Sequence, residues 1–93
     1  MASPASPRRI DLHGLSPDEA LRRLEQELHA ARIRGERELL VITGRGWGNR
    51  EQKPVLRGRV EAWLGGPGGR RFGFQRLERA SKGGALRVFL EGR

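Results

Sequence analysis

Leu39-Leu40-Val41-Ile42-Thr43 is a nearly wholly apolar run without alternation, and Gly44-Arg45-Gly46-Trp47-Gly48 follows it without a break. A run of that kind reads as a central strand, covered on both faces or flanked by other strands. A chain of 93 residues buries only about 60–65% of the surface its unfolded form exposes, so it builds one modest core and no second domain. The neighbours of that strand must therefore come from the remaining short segments.

Arg9-Ile10-Asp11-Leu12-His13 alternates polar and apolar, as a strand with one face on a core does. Ser16-Pro17-Asp18-Glu19 then gathers the helix-start signals: a capping serine, a proline suited to the first turn, and a glutamate that completes a capping box. Leu21, Leu24, Leu28 and Ala31 recur at three and four residues as one apolar stripe, and Gly35 ends the helix. Past the glycine loop, Pro54 is predicted to open a second helix with Val55, Leu56, Val60, Trp63 and Leu64 inward. Gly65-Gly66-Pro67-Gly68-Gly69 should stop it. Phe72, Phe74 and Leu77 read as a third strand, Ser81-Lys82-Gly83-Gly84 as a turn, and Leu86, Val88 and Leu90 as the inward side of a fourth. The expected fold is an α/β two-layer sandwich of order β-α-β-α-β-β, a mixed four-stranded sheet with two helices on one face. Its first two strands should be parallel with a right-handed crossover, and its last two a hairpin. Residues 1–8 are small residues, prolines and one arginine, read as a disordered leader before a domain over 9–93.

Composition narrows the chemistry. There is no cysteine, so disulfides, zinc knuckles and thiol nucleophiles drop out together. No apolar run approaches the roughly 18–20 residues of a membrane span, and no signal-peptide core follows Met1, so a cytoplasmic protein is expected. The formal charge is +8, and a small cationic domain suggests a polyanionic partner, nucleic acid first among them. Arginine-rich, lysine-poor composition also arises from GC-rich codons, whatever the protein does, so distribution matters more than the total. Residues 16–35 carry four acids and four bases, whereas residues 44–60 carry five bases against Glu51 alone. That favours a patch.

Two segments hold residues that packing does not use. Asp11 and His13 project to one side of their strand, opposite Ile10 and Leu12. A carboxylate and an imidazole so placed share a ligand, or the carboxylate orients the ring; a solvated strand face before the Gly14 turn is the plain alternative. Gly44-Arg45-Gly46-Trp47-Gly48-Asn49 follows the carboxyl end of a buried strand, where open α/β sheets bind ligands. Glycines at alternate positions let backbone N–H groups approach an anion, Arg45, Arg50 and Lys53 add charge, and Trp47 offers a ring for base stacking. The Gly-Lys-Ser/Thr ending of a Walker A loop is missing, and Asn49 stands where a dinucleotide fingerprint needs glycine. A plain flexible loop is the alternative there.

Ile10-Asp11-Leu12-His13-Gly14-Leu15, an amphipathic helix, Leu39-Leu40-Val41-Ile42-Thr43-Gly44-Arg45-Gly46, the Pro54–Leu64 segment and the closing Gly83-Gly84-Ala85-Leu86-Arg87-Val88-Phe89-Leu90 resemble, in that order, the Smr (small MutS-related) domain family in its bacterial stand-alone form. The resemblance runs from about Arg9 to Glu91. It implies an α/β sandwich like the C-terminal domain of translation initiation factor three. It also implies endonuclease or nucleic-acid-binding activity on RNA or DNA, in some relatives at stalled ribosomes. By motif, Asp11 and His13 correspond to the D-x-H pair implicated in cleavage, and Gly44 and Gly46 to the G-x-G loop implicated in substrate binding. Three departures stand out: Thr43 where many relatives carry histidine, no histidine just after the glycine loop, and Ser81-Lys82-Gly83-Gly84 where His-Gly-Gly is usual. His29, the only other histidine, should face solvent without a role. The expectation is phosphodiester cleavage, RNA favoured over DNA, with Arg45 and the amides of Gly44, Gly46 and Gly48 on the phosphate and His13 as acid–base group. No cofactor is required. A magnesium ion on Asp11 is an alternative, although one carboxylate is a thin site. A non-catalytic module for nucleic acid or the ribosome is the main rival, and a protein-interaction domain the third.

Overall fold

The strand–helix–strand order produces its parallel pair: in the computed structural model, which describes residues 7–44 and 55–91, β1 (Arg8–Asp11) lies beside β2 (Glu38–Ile42). β1 begins one residue before Arg9, because Glu36 at 2.7 Å and Glu27 at 3.3 Å hold the Arg8 guanidinium while its backbone sits opposite Leu39. Residues 1–6 of the segment expected as a leader lie outside the described residues. Between the two strands, α1 (Pro17–Arg34) starts on the full capping box, with Ser16 accepting from the Glu19 N–H and Glu19 from the Ser16 N–H. It ends on Gly35 at φ 75°, a left-handed cap that suits a residue without Cβ. Ala20, Leu24, Leu28 and Ala31 form its buried stripe; Leu21, one position round, is only partly buried.

The chain closes the sheet by inserting β4 (Ala85–Leu90) antiparallel against β2, with β3 (Phe74–Ala80) outside it, giving the order β1-β2-β4-β3. The apolar run is thus central, as its lack of alternation requires. α2 (Val55–Gly65) buries Val60 and Leu64 and half-buries Leu56 and Trp63. Pro54 and the Val55 side chain lie outside the described residues.

The glycine-rich stretch after α2 corrects the sequence reading. Instead of only stopping a helix, Pro67–Arg71 forms a further short helix, α3. Its glycines are packing residues: a Cβ on Gly69 would strike the Leu64 carbonyl, and one on Gly68 the Trp63 indole. Phe72 follows α3 and precedes β3; it is buried with its ring stacked 6.4 Å from Trp63, not in the strand.

α1 and α2 both feed one core cluster with Ile10, Leu39, Val41, Leu86, Val88 and Leu90. These are alternate residues of their strands, so all of them share the inner face. Of the intervening residues that line the opposite face, Arg9, Asp11, Leu40, Ile42, Arg87 and Phe89 are exposed or half-buried, and Ala85 is buried. No helix among the described residues is long and apolar enough to cross a membrane.

Candidate functional site

Parallel pairing brings the carboxyl ends of β1 and β2 together, and the antiparallel β4 adds its amino end to the same corner. Three sequence segments far apart in the chain meet there. The Leu12 N–H donates to the Ile42 carbonyl at 2.7 Å, extending the β1–β2 pairing to the threshold of His13. The Gly84 carbonyl accepts from the Thr43 N–H at 3.0 Å and the Gly44 N–H at 2.9 Å, tying the loop's entry to the last turn. Gly44 has φ 82°, and a Cβ built there would lie 3.5 Å from the His13 Cβ. From α2, Arg57 donates to the Gly83 carbonyl at 3.1 Å and fastens the turn from behind.

Within this corner, Asp11 and His13 share the outer side of β1 and its extension. One carboxylate oxygen of Asp11 accepts from the His13 ring at Nδ1, 2.5 Å away, and from the His13 backbone N–H at 3.1 Å. The ring hydrogen bond, then the backbone one, holds the Asp11 carboxyl below its ordinary value, with the Arg9 charge a lesser contribution. Asp11 is therefore ionised at neutral pH and accepts the Nδ1 proton. That assigns the neutral ring the tautomer whose Nε2 carries a lone pair. Both side chains are more than half exposed, so a solute can reach them. Such a carboxylate-oriented imidazole takes and returns a proton at Nε2.

The structure thus brings together Asp11, His13 and Gly44 of the expected site. Arg45, Gly46, Trp47, Gly48, Arg50 and Lys53 lie outside the described residues. One expectation is corrected: the Gly44 amide does not point at an anion, because its N–H is given to Gly84. What Gly44 contributes is a left-handed turn and a missing Cβ beside His13. Thr43 is buried, and its hydroxyl donates to the Gly44 carbonyl at 3.2 Å, so it braces the loop entry. His29 lies on α1 with its ring edge-on to Phe72 at 6.5 Å, part of the helical layer.

Sequence reasoning gave no site role to four residues that the structure brings to this corner. Arg9 continues the outer face two positions before Asp11, a signal that was available in the alternation Arg9-x-Asp11-x-His13. Lys82 and Ser81 both adopt positive φ, 53° and 52°, in the turn that meets Gly44. Two adjacent non-glycine residues there carry backbone strain, which nothing in their identity announces. Arg57 reaches Gly83 across 26 positions, a contact no local pattern encodes. Among the described residues, no three His, Cys, Asp or Glu side chains gather into a metal site.

With the corner in place, comparison with known proteins is specific. The Smr domain family model matches residues 10–91. The fold is similar to the Smr domain of Thermus thermophilus MutS2, with a TM-score of 0.71 and 28% identity over 90% of this chain and 98% of that one. The human small-MutS related domain is 32% identical, with a TM-score of 0.63 over 88% of this chain and 99% of that one. The B3BP Smr domain, known from its solution structure, is 33% identical, with a TM-score of 0.59 over 90% and 78% of the two chains. A search of curated protein sequences finds no match. The family match spans both strand ends that build the corner and the turn that closes it, and it places the chain in the Smr domain family, a family of nuclease and nucleic-acid-binding modules.

Proposed function

We propose that this Smr domain is an endonuclease that cleaves phosphodiester bonds, RNA in preference to DNA. The observation that carries the reading is the 2.5 Å hydrogen bond from His13 Nδ1 to Asp11 on an exposed strand end, beside Gly44. In this reading His13 Nε2 removes the proton of a ribose 2′-hydroxyl. The freed oxygen attacks the adjacent phosphorus, the bond from phosphorus to the 5′-oxygen breaks, and that oxygen takes a proton from water or from the imidazolium. The products are a 2′,3′-cyclic phosphate and a 5′-hydroxyl. Asp11 holds the ring's orientation and stabilises the imidazolium.

Negative charge that develops on the phosphate needs donors nearby. Arg45 and the Gly46 and Gly48 amides, one, two and four residues past Gly44, are assigned to it by their place in the sequence, and Trp47, Arg50 and Lys53 to the bound strand. The ribosome is a substrate context this reading allows and no described residue requires. The only other histidine, His29, packs on α1 against Phe72, so the return of the proton falls to water or to the same His13, which predicts slow turnover.

Incubation with end-labelled single-stranded RNA tests the reading. A cyclic phosphate end must appear, and replacing the 2′-hydroxyl at the cut position by hydrogen must stop cleavage there. Cutting of the deoxy-substituted strand at the same rate would move the nucleophile from ribose to water. No cutting of any strand would leave the second reading, a binding module using the same basic loop.

A further inference from the structure

Asp11 closes β1 on the outer face of the sheet, opposite the core that α1 and α2 share, and its partner His13 opens the turn that follows the strand. Strand register defines what else lies there. One row across the sheet is Asp11, Ile42, Ala85 and Ala80; the next is Arg9, Leu40, Arg87 and Glu78; the third is Glu38, Phe89 and Arg76. Leu40, Ile42 and Phe89 are half-buried, while the small Ala85 between Ile42 and Ala80 is buried. At the far end, the Arg76 guanidinium carbon lies 4.0 Å from the centre of the Phe89 ring and that of Arg87 5.5 Å from it. Glu78 holds Arg76 at 2.6 Å, and Glu38 holds Arg87 at 2.5 Å, so these planar groups are fixed from their edges.

Charge and area decide what such a face accepts. Its arginines are matched by Asp11, Glu38 and Glu78, so it exerts little net pull on a phosphate backbone. Flat apolar side chains and guanidinium planes suit the π-faces of unpaired bases instead. Four strands about 4.8 Å apart, with about six residues each at 3.3 Å, give a face on the order of 350 Å². A stable protein–protein contact needs roughly 800 Å² from each partner, which argues against a second copy as the occupant. From Asp11 to Phe89 the diagonal is about 16 Å, enough for a few unpaired nucleotides.

We propose that the outer sheet face is a base-stacking platform for single-stranded nucleic acid, on which the nucleotides flanking the reacting phosphate lie, with the Arg76–Phe89–Arg87 cluster as its far stacking point. The placement of the reacting phosphate rests on the cleavage reading above; the stacking itself does not. Phosphates are then handled at the sheet's end and its basic loop, and bases on the sheet. The platform requires separated strands, since paired bases have no free faces to offer it.

Fluorescence anisotropy with a labelled single-stranded hexanucleotide, its duplex form and a dinucleotide tests this. The wild type should bind the hexanucleotide more tightly than the duplex of the same sequence. Phe89→Leu, which keeps apolar bulk at a half-buried position, should weaken hexanucleotide binding about tenfold, the loss of one stacked base. It should leave dinucleotide binding and the salt dependence unchanged, and Phe89→Trp should restore the hexanucleotide affinity. Thermal unfolding of each variant separates this from misfolding. Equal affinity of wild type and Phe89→Leu for the hexanucleotide overturns the platform, as does duplex binding as tight as single-strand binding. A concentration-dependent dimer that Phe89→Leu breaks overturns it too, by giving the face to a second copy. If binding depends on Phe89 while no strand is ever cut, the cleavage reading fails and the stacking stands.

Discussion

Leu86 and Arg87 are adjacent in β4 and face opposite ways: Leu86 is fully buried under the helices, and Arg87 lies across the open side against Glu38 and Glu78. The same division runs through β1, where Ile10 is buried and Asp11 exposed, and β2, where Val41 is buried and Leu40 half-buried. One sheet serves two purposes, separated by a shift of one residue. The inner face carries the stability of a small domain, and the outer face carries the candidate site. The candidate site is accordingly an exposed sheet corner rather than a dedicated cavity.

That comparison breaks most visibly at Leu86. Leu86→Ala should cost about 2–5 kcal/mol, whereas Arg87→Ala next to it should cost less than about 1 kcal/mol, because an exposed ion pair contributes little. The separation shows in thermal unfolding, where each kcal/mol moves the midpoint by roughly 4–8 °C in a domain of this size. Equal shifts would mean that the two faces are not energetically distinct.

At the junction of the two faces sits Gly44, and Gly44→Val puts a β-branched residue at φ 82° with its Cβ 3.5 Å from that of His13. The backbone strain should cost about 1–3 kcal/mol of stability. Cleavage per folded molecule should fall further, because the intruding methyls displace His13. Comparing activity with the folded fraction from circular dichroism checks both parts.

Smaller still is the effect at the helix that covers the inner face. Ser16→Ala removes one half of the capping box and should lower stability by about 1 kcal/mol without changing cleavage at 25 °C. Its partner Glu19 is held below its ordinary value of 4.5 chiefly by the Ser16 hydroxyl, and Asp11 below 3.8 by His13. A carboxyl whose folded value is depressed contributes stability that is complete above the unfolded value and lost as pH falls through the folded one. Both contributions should therefore be intact at pH 6 and decline below about pH 4.5. Urea midpoints across that range check the sign, and Asp11→Asn should flatten part of the decline.

The sequence made the inner face easy to read. Alternation in β1, the capping box of α1 and the unbroken run of β2 each reflect a local rule, and each formed as those rules require. The glycines of 65–69 did not, because glycine marks both chain reversal and close packing; only the positions of Leu64 and Trp63 reveal which applies. For the site, the Asp11–His13 pair was legible from a two-residue spacing. The Gly84 carbonyl that takes the Gly44 amide was not, since it lies 40 positions away and leaves no periodic trace. The same holds for the strain at Ser81 and Lys82. Composition was the weakest guide: much of the arginine in the described residues is paired with glutamate, at Glu27, Glu36, Glu38, Glu61 and Glu78, rather than gathered for a polyanion.

The claim that the outer-face corner is the cleavage centre rests on His13. End-labelled single-stranded RNA incubated with the wild type and with His13→Ala, at matched folded fraction, tests it most directly. The account predicts a loss of about 10²–10⁴-fold in cleavage rate, as removal of a general acid–base group gives, with the unfolding midpoint lowered only by the lost Asp11 hydrogen bond and RNA affinity nearly unchanged. Cleavage by His13→Ala at the wild-type rate would contradict it.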